Sequence, residues 1–178
     1  WITEHNDPNR KLKFTLEMIK VSNRIIGVNT HRANRIVEHA LNNKLINEFK
    51  LIKSIKAEFK YSQDTRFDFL CDNKILEVKN VTLLRDNKIA EFPDAVTSRG
   101  SKHLKMLINS MKKGYKPYVL FLTQIQNINE FKIAKDIDAN YYKDYIEAKK
   151  AGVNFLAYRC YLSSKEIKIE KKIKILNE

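Results

Sequence analysis

The chain has 178 residues, of which 34 are Lys or Arg and 21 are Asp or Glu, so its formal charge is +13. A hydrophobic fraction of 43% is typical of a folded chain, and no apolar run approaches the ~20 residues that a membrane-spanning helix needs, which excludes an integral membrane protein. Two cysteines and no recognisable secretory leader predict free thiols and a cytoplasmic location.

The alternating pattern of a β-strand is already present near the start of the sequence. Residues 11–18 already alternate as a strand does and the first residue is Trp1, so we expect that residues are missing upstream. Gly114 and Gly152 are stop signals for two helices, and Asp86-Asn87 marks a turn. In chain order we predict a hairpin over 12–28, a helix over 33–45, strands over 52–61, 66–71 and 74–81, a helix over 99–113, a strand over 118–123, a helix over 139–151, a strand over 153–162 and a strand pair in the tail. This alternation predicts an α/β fold, a mixed β-sheet flanked by helices.

The segment from Arg66 to Lys79 carries the residues that point to chemistry. Asp72-Asn73 suits a two-residue hairpin loop, because Asp and Asn tolerate a positive φ. Such a loop sets Asp68 opposite Glu77 and Arg66 opposite Lys79. Since side chains alternate along a strand, it predicts a charged face with these four residues and an apolar face with Phe67, Phe69, Leu76 and Val78.

The charged face of this hairpin is unfavourable for stability alone, because like charges would lie only ~4.5–5.5 Å apart. Paired carboxylates are, however, what a divalent cation needs. Mg²⁺ (or Mn²⁺) would bind between Asp68 and Glu77, with the Val78 carbonyl as a third ligand. Lys79 would reach a water or a phosphate at that cation. The alternative is a solvated strand face on which Arg66 pairs with Glu77 and Asp68 pairs with Lys79.

A resemblance to known proteins extends this interpretation. Asp68 followed by Glu77-Val78-Lys79 on the adjacent strand resembles the signature of the PD-(D/E)XK nuclease superfamily. The flanking sequence resembles the sugar fermentation stimulation protein A family over essentially the whole chain. The segments that carry this second resemblance are Gly27-Val28-Asn29-Thr30, Asn34-Arg35, Ser62 to Phe69, Glu77 to Leu83, Phe92-Pro93-Asp94-Ala95-Val96-Thr97, Arg99-Gly100, Lys102-His103-Leu104, Ala151-Gly152-Val153 and Ala157-Tyr158.

The family resemblance implies a two-part protein. Residues 1–30 would be the last strands of an N-terminal OB-like β-barrel that is mostly missing, and residues 31–178 would form a PD-(D/E)XK nuclease-like domain. The resemblance also implies DNA binding and a regulatory link to sugar (maltose) metabolism. In the core that it implies, Asp68 and Glu77 bind the metal and Lys79 orients the attacking water.

The helix over 33–45 departs from the family pattern. The family has a Glu four residues after the Arg of Asn34-Arg35, where this chain has His39, and Glu38 comes one residue earlier. A shift of one residue turns a side chain by ~100° around a helix, so Glu38 would point away from the metal. His39 would then be a weaker ligand, a group that positions water, or a structural residue.

Cationic side chains are the candidates for phosphate contacts. They are Arg35, Arg66, Arg99, Lys102 and His103. For Arg99 and Lys102 the alternative is a surface role in solubility. Asp94 is either a further polar member of the site or a turn residue after Pro93.

Three functions stay open at this point. The leading prediction is a DNA-binding protein with a Mg²⁺-dependent, nuclease-type site. The second is a non-catalytic DNA-binding regulator that has lost efficient cleavage, and the third is a basic module that binds RNA or the ribosome, which rests on charge alone. An A·T-rich genome, in which Lys, Asn and Ile codons accumulate, explains the Lys content equally well. The sequence leaves open whether the protein forms a homo-oligomer.

Overall fold

The structure, a computed structural model, describes residues 1–86 and 88–176. Its helices are α1 (Arg32–Asn42), α2 (Ser98–Met111) and α3 (Ala139–Ala151), with a 3₁₀ turn at Asn47–Phe49. Its strands are β1 (Ile2–Glu4), β2 (Phe14–Leu16), β3 (Met18–Val21), β4 (Arg24–Gly27), β5 (Ile55–Lys60), β6 (Arg66–Cys71), β7 (Lys74–Val81), β8 (Leu83–Asp86), β9 (Ile89–Phe92), β10 (Lys116–Thr123), β11 (Glu130–Ile133), β12 (Asn154–Leu162), β13 (Ile167–Lys172) and β14 (Lys174–Ile175). None of the helices in these described ranges is long and apolar enough to cross a membrane.

A six-stranded mixed sheet forms the centre of the fold, in the order β13-β12-β10-β7-β6-β5. Strands β7, β10 and β12 are parallel, while β5, β6 and β13 run antiparallel to their neighbours. Helix α1 packs on one face of this sheet, and α2 and α3 pack on the other. A second sheet has the order β14-β11-β9-β8. The predicted α/β fold with a mixed sheet and flanking helices is therefore confirmed.

Helix α3 has the predicted bounds because both of its ends are capped. Asp138 Oδ1 accepts the N–H of Tyr141 at 2.9 Å, and Gly152 ends the helix with a φ of 109°. Helix α2 begins after Thr97, whose hydroxyl accepts the N–H of Gly100 at 3.0 Å. A Cβ at Gly100 would lie 2.9 Å from the Thr97 side chain and 3.0 Å from Tyr141, so this glycine allows α2 and α3 to pack closely.

The hairpin predicted over 12–28 is confirmed in its inner part, where β3 pairs with β4 across a turn at Ser22 and Asn23, but its first strand does not extend back to residue 12, because β2 pairs with β1 instead. The chain changes partner at Glu17, whose buried carboxylate accepts hydrogen bonds from Arg32 Nε at 2.9 Å and from Asn29 Nδ2 at 3.0 Å. The Arg32 hydrogen bond outweighs the effect of burial and lowers the pKa of Glu17 to about 2. The need to place this carboxylate against α1 interrupts the strand.

The sequence pattern does not predict β8, β9 or β11, because each is a short strand of 4 residues. Arg85 of β8 forms ion pairs with buried Glu91 of β9 and with Asp136, and these pairs tie the second sheet together. The strand predicted over 52–61 begins later, at Ile55. The turn predicted at Asp86-Asn87 lies partly outside the described residues, since position 87 is not among them.

The β6–β7 hairpin has the predicted turn and register near its tip. Asp72 has a φ of 53°, and Phe69 pairs with Leu76 as expected. The main-chain pairing stops before Asp68. The predicted common face of Phe67 and Phe69 is wrong, since Phe67 packs on the α2 side of the sheet and Phe69 packs on the α1 side.

This change of face has a local cause at Asp68. Its Oδ2 accepts the N–H of Val78 at 2.7 Å, in the place of a main-chain partner. Glu58, which lies opposite Asp68 in the register of β5, has a φ of 52°. Both strands are irregular at the same level, so Phe59 and Phe67 beyond it turn to the α2 side.

Candidate functional site

Glu77 on β7 is the centre of the candidate site and is only 4% exposed. Its Oε1 accepts hydrogen bonds from Lys79 Nζ at 2.7 Å and from His103 Nδ1 at 2.6 Å. Burial alone would raise the pKa of Glu77, but the hydrogen bond from His103 and the Lys79 ammonium outweigh it and lower the pKa. Glu77 Oε2 is buried and has no hydrogen-bond partner among the described residues. The site therefore holds a negative charge with one free oxygen.

Asp68 is the second carboxylate of the site and lies on β6, the strand next to β7. Its Oδ1 accepts a hydrogen bond from Asn34 Nδ2 of α1 at 2.8 Å, and its Oδ2 accepts one from the Val78 N–H at 2.7 Å. Burial and the nearby charge of Glu77 raise the pKa of Asp68 to about 6, and the two hydrogen bonds offset only part of that increase. The structure thus brings Asp68, Glu77 and Lys79 into one electrostatic unit, with Asp68 held by α1 and Glu77 by α2.

The donor set of this unit fits a divalent cation. The free, buried Oε2 of Glu77 and the neighbouring Asp68 are hard oxygen ligands, which Mg²⁺ and Ca²⁺ prefer. Within residues 1–86 and 88–176, no three His, Cys, Asp or Glu side chains lie close enough together to bind one metal ion. A main-chain oxygen, such as the Val78 carbonyl, and water would therefore complete the coordination.

Four of the predicted phosphate contacts line one cleft beside Glu77. The cleft has a volume of about 420 Å³. Arg66 at the start of β6 lines it together with Arg99, Lys102 and His103 of α2. His103 is 6% exposed and joins the cleft to Glu77 through its hydrogen bond.

The structure places three other candidates away from this cleft. Arg35 and His39 line a different cavity, of about 390 Å³, together with Trp1 and Glu17. Asp94 is exposed in the loop before α2 and makes no hydrogen bond or ion pair with another described residue. Of the predicted phosphate contacts, Arg35 is thus the one that lies outside the cleft.

Glu38 is exposed on α1, one turn after Asn34. From Asn34, whose side chain reaches Asp68, position 38 is turned by ~40° around the helix axis and position 39 by ~140°. Glu38 is therefore on the side of α1 nearer the two carboxylates, and His39 is on the side that faces the N-terminal strands. Neither side chain forms a hydrogen bond or ion pair with Asp68 or Glu77 in the described residues, so a role for either in the site stays a prediction.

The sequence pattern misses two contacts that define the site. Asn34 binds Asp68 and His103 binds Glu77, and each pair joins a helix to a strand that is distant in the chain. No spacing rule connects such residues. The one available signal is the family resemblance, because Asn34-Arg35 and Lys102-His103-Leu104 are among the segments that carry it.

His103 is expected to support the fold through Glu77. The substitution His103→Leu removes a donor from a buried carboxylate, and we expect the free energy of unfolding to fall by ~1.5–3 kcal/mol at neutral pH. His103→Asn keeps a donor near the position of Nδ1 and should cost clearly less. Urea unfolding of both variants measures the difference. Equal losses would show that the hydrogen bond to Glu77 contributes nothing beyond packing.

Comparison with known proteins decides the family. Residues 31–166 match the family model described as the sugar fermentation stimulation protein RE domain. A sugar fermentation stimulation protein homolog of Pelagibacter ubique is 61% identical over 181 residues, which cover 99% of this chain and 78% of that protein. The chain belongs to the sugar fermentation stimulation protein family. The resemblance found in the sequence is thus confirmed.

Other members of the sugar fermentation stimulation protein family agree with this assignment. A homolog of Bartonella quintana is 35% identical over 183 residues, which cover 100% of this chain and 78% of that protein. A solved structure, described as that of Pyrococcus furiosus SfsA in complex with Ca²⁺, has a TM-score of 0.88 and 24% identity and covers 99% of this chain and 77% of that chain. At this identity the structural likeness concerns the fold, which this chain shares with the family.

Proposed function

We propose that this family member binds DNA and cleaves phosphodiesters with a Mg²⁺-dependent (or Mn²⁺-dependent) nuclease-type site. The observation that carries the proposal is the buried, unpartnered Oε2 of Glu77 next to Asp68 and Lys79. In the proposed architecture, residues 31–178 form a PD-(D/E)XK nuclease-like domain and residues 1–30 belong to an OB-like barrel. The family model begins at residue 31, which supports that division.

Asp68, Glu77 and the Val78 carbonyl would hold the metal in this proposal. The solved SfsA of Pyrococcus furiosus is described as a Ca²⁺ complex, which supports a site for a hard divalent cation. A bound Mg²⁺ would polarise the phosphodiester and lower the pKa of water. The bonds from Asn34 and His103 keep the two carboxylates in place, so the cation would meet ligands that are already oriented.

Lys79 has the role of positioning water and offsetting charge. Its ammonium lies 2.7 Å from Glu77 Oε1, and its side chain is 14% exposed. A cation in such a sheltered position stabilises the negative charge that develops on a phosphate during cleavage. Glu77 would therefore keep Oε1 for Lys79 and His103 and offer Oε2 to the metal. On α1, we assign the supporting acid to Glu38 rather than to His39, since Glu38 is on the side of Asn34.

A non-catalytic DNA-binding regulator of sugar (maltose) metabolism is the second candidate. Helix α1 favours it, because Glu38 is exposed and His39 lines a separate cavity. This helix thus supplies no buried acid to the two carboxylates within the described residues. The cytoplasmic location proposed for either function is supported by Cys71 and Cys160, which are buried and unpaired.

A cleavage assay tests the proposed function. The protein is incubated with single-stranded and double-stranded DNA and RNA in Mg²⁺, in Mn²⁺ and in a chelator, with Lys79→Ala as the control. We expect cleavage that depends on the metal and is lost in the control. Background cleavage under every condition, together with intact DNA binding, would establish the regulator instead.

DNA binding by this basic chain should depend strongly on salt. If the Lys and Arg side chains neutralise phosphates, log K falls linearly with log salt, with a slope of roughly −0.9 per phosphate on B-DNA. The substitution Lys79→Ala should change the affinity little, because one sheltered contact is lost among several. A titration of fluorescent DNA at several salt concentrations measures the slope. Affinity that does not change with salt would contradict the electrostatic basis of the prediction.

A further inference from the structure

The cleft beside Glu77 has an unusual charge balance. Lys60, Arg99 and Lys102 line it, and their side chains make no hydrogen bond or ion pair with another described residue. Arg66 has one partner, Glu58 at 3.3 Å, and this pair is exposed to solvent. Among the described lining residues Asp64 is the one acidic side chain. Unpaired cations that converge on one cavity repel one another and attract a polyanion.

The walls of the cleft come from the β5–β6 strand pair and from helix α2. Lys60 and Arg66 lie at the adjoining ends of β5 and β6, and Arg99 and Lys102 lie in the first turns of α2. His103, on the same helix, is bonded to Glu77 Oε1 at 2.6 Å. A strand held between these walls would therefore run past His103, the lining residue that is bonded to Glu77.

The size of the cleft and the depth of the site decide which form of nucleic acid fits. The cavity of about 420 Å³ is in the range of small-ligand pockets, ~300–1,000 Å³, so it admits a nucleotide and its phosphates rather than the cross-section of a duplex. Glu77 is 4% exposed and the Lys79 side chain is 14% exposed. A phosphodiester can approach them only on a slender, flexible backbone.

We propose that this cleft binds a single strand of nucleic acid, with its phosphates between Arg99 and Lys102 on one wall and Lys60 and Arg66 on the other. The inference rests on the proposed function and specifies its substrate class. Proteins that bind single strands use a positively charged groove of this kind, which follows one backbone. A duplex keeps its two backbones paired and would have to be opened before one of them could enter.

Anisotropy titrations with a labelled single strand and with a hairpin duplex of the same sequence test the proposal, in a chelator so that no cleavage occurs. The parent protein should bind the single strand at least tenfold more tightly than the duplex. The double variant Arg99→Gln, Lys102→Gln should lose at least tenfold in affinity for the single strand. For this variant, the slope of log K against log salt should become shallower by roughly 0.7 for each phosphate contact removed.

The matched control is the double variant Lys20→Gln, Lys150→Gln. It removes the same charge from two exposed lysines that lie outside the cleft and have no partner among the described residues. We expect it to bind the single strand within twofold of the parent, and thermal melts should confirm that both variants fold. The proposal would be overturned if the two double variants lost the same affinity for the single strand. It would also be overturned if the parent bound single strand and duplex with equal affinity.

Other outcomes separate this inference from the proposed function. Tight single-strand binding through the cleft without any metal-dependent cleavage would support the inference and leave the regulator as the function. Cleavage or binding of duplex that is insensitive to Arg99 and Lys102 would overturn the inference alone. Failure to bind any nucleic acid would overturn both.

Discussion

Lys79→Met is expected to lower the rate of metal-dependent cleavage by about 10²–10³-fold while nucleic-acid binding persists. Met keeps most of the length of the side chain but removes the ammonium that lies 2.7 Å from Glu77 Oε1. If the site cleaves, this charge acts mainly on the transition state, so the loss should fall on the rate rather than on affinity. Single-turnover cleavage and anisotropy binding on the same substrate measure the two effects separately.

The structure changes what we expect of the stability of this variant. The hairpin alone would set Lys79 against Arg66, and its loss would then relieve a like-charge pair. In the structure Lys79 is a partner of buried Glu77, so Lys79→Met should destabilise the protein, although His103 still donates to the same oxygen. Thermal melts are needed to show that the variant is folded in the cleavage assay.

Lys74→Met is the matched control for the cleavage prediction. Lys74 is on the same strand, but its Nζ donates to the main-chain oxygen of Glu48 and lies over the ring of Phe49. The substitution Lys74→Met should therefore leave cleavage unchanged. His39→Glu should also leave cleavage unchanged, because His39 lines the cavity next to Trp1. If Lys79→Met and Lys74→Met lower the rate equally, Lys79 has no specific role in the chemistry.

Asp68→Asn is expected to stabilise the metal-free protein at neutral pH and to abolish its response to Mg²⁺. Folding raises the pKa of Asp68 from 3.8 to about 6, chiefly through burial and the charge of Glu77. The folded state thus binds the proton more tightly than the unfolded chain, and stability is lost as the pH rises through that interval. Removing the charge should recover up to roughly 3 kcal/mol, less ~1 kcal/mol for one lost hydrogen bond.

Urea unfolding in a chelator at about pH 4 and about pH 7.5 checks the sign of this effect. The stabilisation should be present at the higher pH and vanish at the lower. Asp72→Asn is the control of opposite sign, because hydrogen bonds from Ser54 and Lys53 lower the pKa of Asp72. That variant should therefore lose stability at neutral pH. If Asp68→Asn also lost stability at neutral pH, Asp68 would not be held in an unfavourable charged state.

The same variants test the metal ligands without any measurement of activity. A ligand that binds only the folded state stabilises it, by ~2.7 kcal/mol at one hundred times its Kd. Excess Mg²⁺ should therefore stabilise the parent protein and leave Asp68→Asn unchanged. Equal stabilisation of both would remove Asp68 from the metal site.

Short-range patterns were sufficient for much of the fold. The two-residue turn at Asp72-Asn73 determines the register of β6 and β7, because a hairpin loop and the alternation of side chains act only between neighbours. The helix over 139–151 is likewise specified by its own ends, Asp138 and Gly152. That register also predicts the proximity of the carboxylates at positions 68 and 77, although the main-chain pairing itself ends at Phe69.

The geometry of the site depends on contacts that no local pattern contains. Asp68 takes the main-chain N–H of Val78, so the pairing of β6 with β7 ends there, and Phe67 turns to the other face of the sheet. Asn34 reaches Asp68 from one side of the sheet, and His103 reaches Glu77 from the other. A buried carboxylate accepts whichever donors the packed helices bring to it, and those donors are distant in the chain. The rotation of α1, which separates Glu38 from His39, is decided in the same way by the packing of its apolar stripe.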